Sequence, residues 1–524
     1  YFCGSIRQST HCPLCEARGA SMLCAIFAAA FASQRTVLFV KHAKGAADRL
    51  KSELAQRSDP SHPLYLQWLT RPQVEAILKP DSEALAWAEA ISHQHGASSI
   101  ERIGDKLVVE FAGQVPAAFR AATDAADALD GGGAFALAPP RGAPSRSQSR
   151  NTTTTTSSTN TGPQACLASM NGVTAACIRT AYGLTSSSVP SNSPGQAFVV
   201  NQGFAPADLS AFQTLNKLPL QPVKYIVGEN TGKAGDEASL DSQYIIATGE
   251  GVPTTFVYLD GSASNPFTNW LVWAANNSEA SFPKVHSLSL GAPENEVGGA
   301  IIGRMNTEMA ALGVRGVTIL FASGDSGYQP QQKFGAASPF VTAVGGVFNG
   351  ELRSGKLQAD SLSTGGFAAS PLNKAGAWQH AAIAAYMKTT GTRPAKIDVT
   401  QRAVPDVSAY DDDISIIQNG ASTALSGTSA ACPIVAGIIA SINGAIAAAG
   451  HDTTLGFVNP FLYANQEAFF DIVRGNNRGI AAVEGYDPIS GLGTFSTTTF
   501  EKLKTAAIAA AARASARKKL SNLV

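Results

Sequence analysis

Ser429 lies in Ser426-Gly427-Thr428-Ser429-Ala430-Ala431, directly ahead of the apolar run from Cys432 to Ala440. This pattern predicts a serine on a tight, glycine-containing turn at the start of a buried helix. A helix start carries unpaired N–H groups and a partial positive charge, both suited to a developing oxyanion. Such a hydroxyl needs a base before it can attack a carbonyl. Histidine is the usual base, and no histidine here sits in a base motif. His95-Gly96 precedes a polar linker, and beyond residue 164 the chain has His286, His380 and His451. His286 leads into Ser287-Leu288-Ser289-Leu290-Gly291, where packing or a substrate contact is the expected role.

Carboxylates can replace the histidine. Glu237 and Asp241 lie four residues apart in Gly235-Asp236-Glu237-Ala238-Ser239-Leu240-Asp241. On a helix they share a face. Two close carboxylates cannot both ionise cheaply, so one pKa rises and the pair can share a proton. Glu237 then becomes a candidate base for a serine in mildly acidic solution. The same spacing also describes a solvated acidic face. Asp325, in Ala322-Ser323-Gly324-Asp325-Ser326-Gly327, follows an apolar strand. Protonated, it could donate a hydrogen bond to an oxyanion; the alternative is a turn-forming aspartate beside glycines.

These residues need a frame. From about residue 164 short apolar strands alternate with helical stretches. Strands are expected at 197–201, 224–227, 254–259, 285–290, 317–323 and 341–344, and helices at 208–215, 237–248, 267–275 and 296–312. The alternation predicts an α/β domain with a doubly wound, mostly parallel sheet, whose ligands gather at the carboxyl ends of the strands. A smaller α/β unit is expected at 34–135, with strands at 36–40 and 106–111 and helices at 47–57 and 82–93. Residues 136–163, rich in Thr and Ser, read as a flexible linker open to proteolysis. The tail after residue 505 is Ala-rich and basic and reads as a surface helix or frayed end.

Composition narrows the class. Net charge is +0 over 524 residues, which gives no support for a nucleic-acid partner. Charged residues make up 15%, against roughly 25% in average usage. The body of the chain shows no unbroken apolar run of about 20 residues, so no membrane span is expected. Residues 1–33 read as an upstream leader and signal peptide, with Met22 to Ala32 as the apolar core and cleavage after Ala32. Cys12 and Cys15 lie in that leader, and no second pair completes a zinc site. Of the later cysteines, Cys166 and Cys177 could form a local disulfide, and Cys432 reads as a packing residue.

Together the segments at 426–430, 237–241 and 322–327 resemble the sedolisins, the serine-carboxyl peptidases. Ser58 to Tyr65, Leu69-Thr70, Ala337 to Gly346 and Pro405-Asp406-Val407-Ser408-Ala409 extend the resemblance over about 34–505. It implies a subtilisin-like catalytic domain at 164–505 behind a ferredoxin-like prodomain at 34–135, which acts as intramolecular inhibitor. It makes Ser429 the nucleophile, Glu237 the base, Asp241 its orienting partner and Asp325 the oxyanion donor. It also implies one calcium ion, held by the side chains of Asp471 and Asp487 and by carbonyls of Ile472, Val483 and Gly485. Turn chemistry is the alternative reading of that loop. Asn269-Trp270-Leu271 and the segment Pro283 to Ser289 resemble the tripeptidyl peptidases, with Glu294 and Glu296 as candidates to hold a substrate ammonium group. The implied protein is a secreted or lysosomal/vacuolar zymogen acting on peptides or unfolded proteins. An endopeptidase of the same family and a silent, calcium-stabilised binding protein are the alternatives.

Overall fold

The computed structural model describes residues 33–112, 123–128, 141–142, 172–185, 189–190, 193–259, 266–277, 282–350, 356–390 and 398–521. The expected leader, most of the linker and Cys166 lie outside them. Cys177 is disulfide-bonded.

The N-terminal unit begins with β1 (Ser33–Val40), α1 (Ala46–Ser58), α2 (Arg71–Ile77) and α3 (Ser82–Gln94). Strands β2 (Ser99–Ile103), β3 (Lys106–Ala112) and β4 (Thr123–Ala128) follow. Its antiparallel sheet has the order β2-β3-β1-β4, the ferredoxin-like arrangement. Val37 to Val40 form an unbroken apolar run because both faces of β1 are covered. Leu38 and Val40 pack with Leu107, Val109 and Ala88 of α3. Val37 and Phe39 face the other way, towards Val272 and Ile301 of the larger domain. Leu50 and Leu54 of α1 complete this interface against Ala310, Ala311, Val314 and Phe457.

A dry ion cluster crosses the same interface. Lys106 sits 2.8 Å from both Asp105 and Glu308, and Arg304 pairs with Asp105 and Glu308. His42 joins at Asp105. Burial alone would raise the Asp105 pKa, but Arg304 and Lys106 outweigh it and hold the carboxyl well below its usual range.

In the larger domain the chain runs through α4 (Ala175–Tyr182), β6 (Gln196–Val200), α5 (Pro206–Leu215), β7 (Tyr225–Val227), α6 (Asp236–Thr248), β8 (Thr254–Tyr258) and α7 (Pro266–Asn276). Then come β9 (Val285–Leu288), β10 (Ala292–Pro293), α8 (Glu294–Val297), α9 (Gly299–Gly313), β11 (Thr318–Ala322), β12 (Lys333–Phe334), β13 (Thr342–Gly350) and β14 (Lys356–Ala359). The main sheet has the order β14-β13-β11-β9-β6-β8-β7, with β17 (Val407–Tyr410) also on β13; β14 alone of these strands pairs antiparallel. Alternate residues of β6 serve opposite layers. Phe198 and Val200 pack with α6, whereas Ala197 and Val199 pack with α7 and α9. The order reverses at β6, between β8 and β9, which opens a crevice at the carboxyl ends of the strands.

Two helices carry the chemistry-bearing residues. Every residue of α6 from Glu237 to Thr248 is buried. It crosses α11 (Thr428–Ala448), which has the length and composition of a bilayer span, but 83% of its apolar window is buried as in a core helix. At the crossing, a Cβ on Gly437 would lie 2.1 Å from Thr248 Oγ1 and 2.7 Å from the Ile245 carbonyl.

Some expectations change. The stretch 296–312 breaks at Gly298, whose φ of 78° is outside the helical range. The tail is neither frayed nor a surface appendage. Helix α13 (Thr497–Ser521) runs straight through residue 505, buries Leu503, Ala507, Ala510, Ala511 and Ala514, and reaches His62 of the N-terminal unit through Arg517. Its alanines are a packing face. The hairpin β18 (Ile414–Gln418) and β19 (Ala421–Ser426) turns at Asn419-Gly420, both with positive φ. That is a recognised hairpin signal, and it leads straight into Ser429.

The crossing gives a test. Alanine in an exposed helix outranks glycine by about 1 kcal/mol. Here overpacking wins, so Gly437→Ala in the full chain is expected to destabilise by about 1–3 kcal/mol. A lower Tm agrees; a raised Tm means the two helices have slack.

Candidate active site

Gly427 ends the β19 strand with a φ of 151°, and α11 begins at Thr428. A Cβ at Gly427 would lie 2.7 Å from Asp325 Oδ2, so the turn and the aspartate share space that a side chain would fill. Asp325 follows β11 and accepts at Oδ1 from the Thr428 N–H (2.8 Å) and hydroxyl (2.7 Å). The Thr428 hydroxyl in turn accepts from the Gly324 N–H at 3.0 Å. One oxygen of Asp325 is thus used to lock the end of β11 to the start of α11, leaving Oδ2 beside the nucleophile turn.

Ser429 is 5% exposed, Glu237 3% and Asp241 0%, which excludes the solvated acidic face. The Glu237 N–H donates to Gln202 Oε1 at 2.9 Å, which fixes the start of α6 to the end of β6. Burial pushes the Glu237 carboxyl well above its ordinary range, and the charges of Asp241 and Asp325 push the same way; the hydroxyls of Ser429 and Ser289 act against them. Asp241 is raised by burial, opposed by Ser289. The two form one coupled pair. Ser429 thus lies within hydrogen-bonding influence of a carboxyl of raised pKa.

His380 is exposed and meets the Ala375 carbonyl, and His451 meets the Ser515 hydroxyl. His95 is exposed on the prodomain. His286 is fully buried, accepts from Trp270 Nε1 at 2.9 Å and meets the Pro283 carbonyl at 3.0 Å. Burial depresses its pKa to about 3, so it is a neutral packing residue.

Two groups escaped the sequence reading. The Ser289 hydroxyl donates to Asp241 Oδ1 at 2.7 Å and lies 3.3 Å from the Ser429 carbonyl. That carbonyl lacks its helical donor because residue 433 is proline. A proline four residues after a helical serine is the signal that could have found it. The second is Asp411, 0% exposed, whose backbone carbonyl accepts from Gly427 N–H at 2.8 Å. Burial, then Asp360, Asp412 and Asp325, raises its carboxyl pKa well above the ordinary range. Asp360 lies within hydrogen-bonding influence of it, which needs a proton between the two carboxyls.

Other expected site residues divide. Glu294 cannot serve as an ammonium anchor: it accepts from the Ala369 N–H at 2.8 Å, the Ser370 N–H at 3.4 Å and Asn373 Nδ2 at 2.6 Å. It holds a loop, and Glu296 is exposed. At the C-terminal loop, Asp471 Oδ2 accepts from the Gly485 N–H and Asp487 Oδ2 from the Val483 N–H, at 2.8 and 2.9 Å. Asp487 Oδ1 also accepts from Ser490. Buried Asp471 Oδ1 has no partner. Burial raises Asp471 and pushes Asp487 up to about 7. The orphaned buried oxygen of Asp471, on a carboxyl held by the Gly485 N–H, fits a ligand for a hard cation.

Residues 33–122 match the family described as Pro-kumamolisin, activation domain, and residues 253–455 match the subtilase family. Over 358 residues the chain is 35% identical to proteins named tripeptidyl-peptidase 1 from Canis lupus familiaris and Homo sapiens, covering 62% of this chain and 62% of each relative. In fold it is similar to Pseudomonas sedolisin, a serine-carboxyl proteinase, with a TM-score of 0.50 and 22% identity over 64% of this chain and 97% of that one. The two matches together set an activation-domain unit ahead of a subtilisin-like peptidase domain. The chain is similar to the sedolisins, the serine-carboxyl peptidases, and its match spans 62% of the length of each of the named tripeptidyl-peptidase 1 relatives.

The buried carboxyls set a pH dependence. The folded pKa of Asp411 lies above its unfolded value of about 3.9. Its stabilising share is therefore complete below that value and lost as pH rises through the folded pKa. Asp411→Asn is expected to raise Tm relative to the parent near neutrality, with the gain shrinking towards pH 4. A difference that does not change with pH would rule out this titration.

Proposed function

We propose that this chain is the zymogen of an acid-active serine-carboxyl peptidase that removes tripeptides from free N-termini. The observation that carries the reading is the gathering of buried Ser429, Glu237 and Asp241 with half-buried Asp325 in one site. Ser429 Oγ attacks the scissile carbonyl while Glu237 takes its proton. Asp241 shares protons with Glu237 and is steadied by Ser289. The new oxyanion meets the Ser429 N–H at the helix start and the free oxygen of Asp325, which acts in its protonated form. Glu237 then returns the proton to the leaving amine. A carboxyl donor keeps its proton only in acid solution, which places this chemistry there.

The tripeptidyl specificity is supported by the names of the relatives. An endopeptidase of the same family is the second reading, because Glu294 is committed to the loop at 369–373 and does not anchor an ammonium group.

The zymogen reading is supported by the linker. Its residues Arg141–Gly142 pair with Ser426 and Leu425 of β19, one strand from the nucleophile, as an extended peptide adds to a sheet edge. The ion cluster at the domain interface does not act as a release for mild acid. The Asp105 pKa is depressed, so its stabilising share is present above the unfolded value and lost only as pH falls through the lower folded one. Cutting the linker, rather than titrating Asp105, is the activating step.

Asp471 and Asp487, with carbonyls of Ile472, Val483 and Gly485, would hold one calcium ion, which pins the C-terminal loop. The disulfide at Cys177 fits a secretory route to a secreted or lysosomal/vacuolar destination.

The test is a pH–rate profile of acid-activated protein and its Ser429→Ala variant on a free-N-terminus peptide, with products read by mass. Successive tripeptides released only in acid, and lost in the variant, are expected. Internal cuts would move the protein to the endopeptidase reading, and Ser429-independent cleavage would remove the mechanism. Separately, chelating calcium is expected to lower the Tm of the parent and to leave that of Asp471→Asn unmoved. Equal shifts in both would remove the ion from this loop.

A further inference from the structure

Two loops hold the two halves of the site, and each carries a buried aspartate. The loop 360–364, after β14, holds the loop that bears Asp325. The Thr364 N–H donates to the Gly324 carbonyl at 2.7 Å, and the Gly327 N–H donates to the Leu362 carbonyl at 2.8 Å. The Ser326 N–H donates to Thr364 Oγ1 at 2.9 Å. The loop 411–413, after β17, holds the turn that leads to Ser429. The Asp411 carbonyl accepts from the Gly427 N–H at 2.8 Å. The Ser426 hydroxyl donates to Asp412 Oδ1 at 2.8 Å and accepts from the Asp413 N–H at 3.0 Å. Asp325 and Thr428 join the two halves at the front. Behind them, the two loops meet through Asp360 and Asp411.

Gly346 of β13 makes that meeting possible. A Cβ there would lie 1.6 Å from Asp411 Oδ2, so the carboxyl occupies the space of a missing side chain. The Gly346 carbonyl accepts from the Asp360 N–H at 3.1 Å, which brings both aspartates to one glycine. Both are buried, Asp411 completely. Among the described residues, neither oxygen of Asp411 receives an N–H or hydroxyl donor. Asp412 and Asp325 face both carboxyls, and Tyr182 of α4 faces Asp411. Each of these groups is neutral or negative, so none supplies a counter-charge. A buried charge without a partner is costly, so the pair retains a proton. Burial raises both carboxyls above their ordinary range. Their contact raises Asp411 further and acts against the rise of Asp360, which puts the proton on Asp411.

We propose that Asp360 and Asp411 form a proton-operated clasp: sharing one proton, they hold the loop behind Asp325 to the loop behind the nucleophile turn, and when both ionise the two loops part. They are positioning residues, since neither touches the reacting atoms. The folded-state shifts are upward, so the clasp is complete in acid and lost as pH rises through the folded values. Its effect on rate rests on the peptidase reading of Ser429; the clasp itself does not.

The test is amide hydrogen exchange, corrected for its intrinsic pH dependence, on full-length protein carrying Ser429→Ala so that the chain stays uncut. From acid to neutral pH, protection at 324–328 and 426–430 is expected to fall about tenfold while that of β6 and β8 holds. Adding Asp411→Asn, whose amide donates to Asp360 without a titrating proton, is expected to keep the protection. Asp360→Asn reverses the donor and is expected to do the same. With Ser429 intact and the protein acid-activated, both variants are expected to move the upper pH limb of kcat about one unit higher. Protection that does not fall, that falls across the whole sheet, or that falls equally in the variants overturns the clasp. A limb that stays or moves down overturns its coupling to the site. The expected exchange pattern without any Ser429-dependent cleavage overturns the peptidase reading and leaves the clasp standing.

Discussion

The close crossing of α6 and α11 is the constraint on which the site depends. Glu237 and Asp241 ride on one helix and Ser429 on the other, and Gly437 lets the two backbones meet where any side chain would hold them apart. Both helices are buried along most of their length, so neither can shift without disturbing the packed core. The strands add the remaining parts at the same end of the sheet. The end of β6 supplies Gln202 to hold the start of α6, β9 leads into Ser289, and β11 leads into Asp325. Rigid elements thus bring together groups that are up to 192 residues apart in the chain, from Glu237 to Ser429.

Burial at this crossing also decides the protonation chemistry. Glu237, Asp241 and Asp411 lie in the interior of one domain, and burial is the first cause of every raised pKa among them. Such groups favour an acid medium for folding. The prodomain interface works in the opposite sense. Asp105 is as dry as Asp411, but Arg304 and Lys106 stand against it and hold it charged. One molecule therefore combines carboxyls that gain stability in acid with a carboxyl that keeps its charge there. The difference lies in whether a buried carboxyl meets a cation or another carboxyl.

Much of the architecture was legible in the chain. Apolar strand runs and helical spacing located the six expected strands and most of the intervening helices to within a few residues. The misses have physical causes. A continuous apolar face at 296–312 hid the break at Gly298, since periodicity does not register one residue with positive φ. The Ala-rich tail looked exposed because alanine carries little apolar surface, yet small side chains are what a helix needs to pack closely against α11. Asn419-Gly420 marked a hairpin by residue type and was passed over among the Ser and Thr around it. Glu294 was a carboxylate at a plausible strand end, and nothing local revealed that a loop 75 residues later would occupy its oxygens.

The sequence alone offered the candidate reacting groups, set their order along the chain and determined the fold class that could hold them, because periodicity and residue chemistry are local properties. Burial is not local, and tertiary structure decided everything that followed from it. It turned an acidic helix face into a dry carboxyl pair, His286 into a neutral packing residue and Glu294 into a loop anchor. It brought Ser289 to the Ser429 carbonyl that Pro433 leaves unpaired. A side chain's charge, partner and reach depend on what packs around it, and those neighbours come from distant parts of the chain.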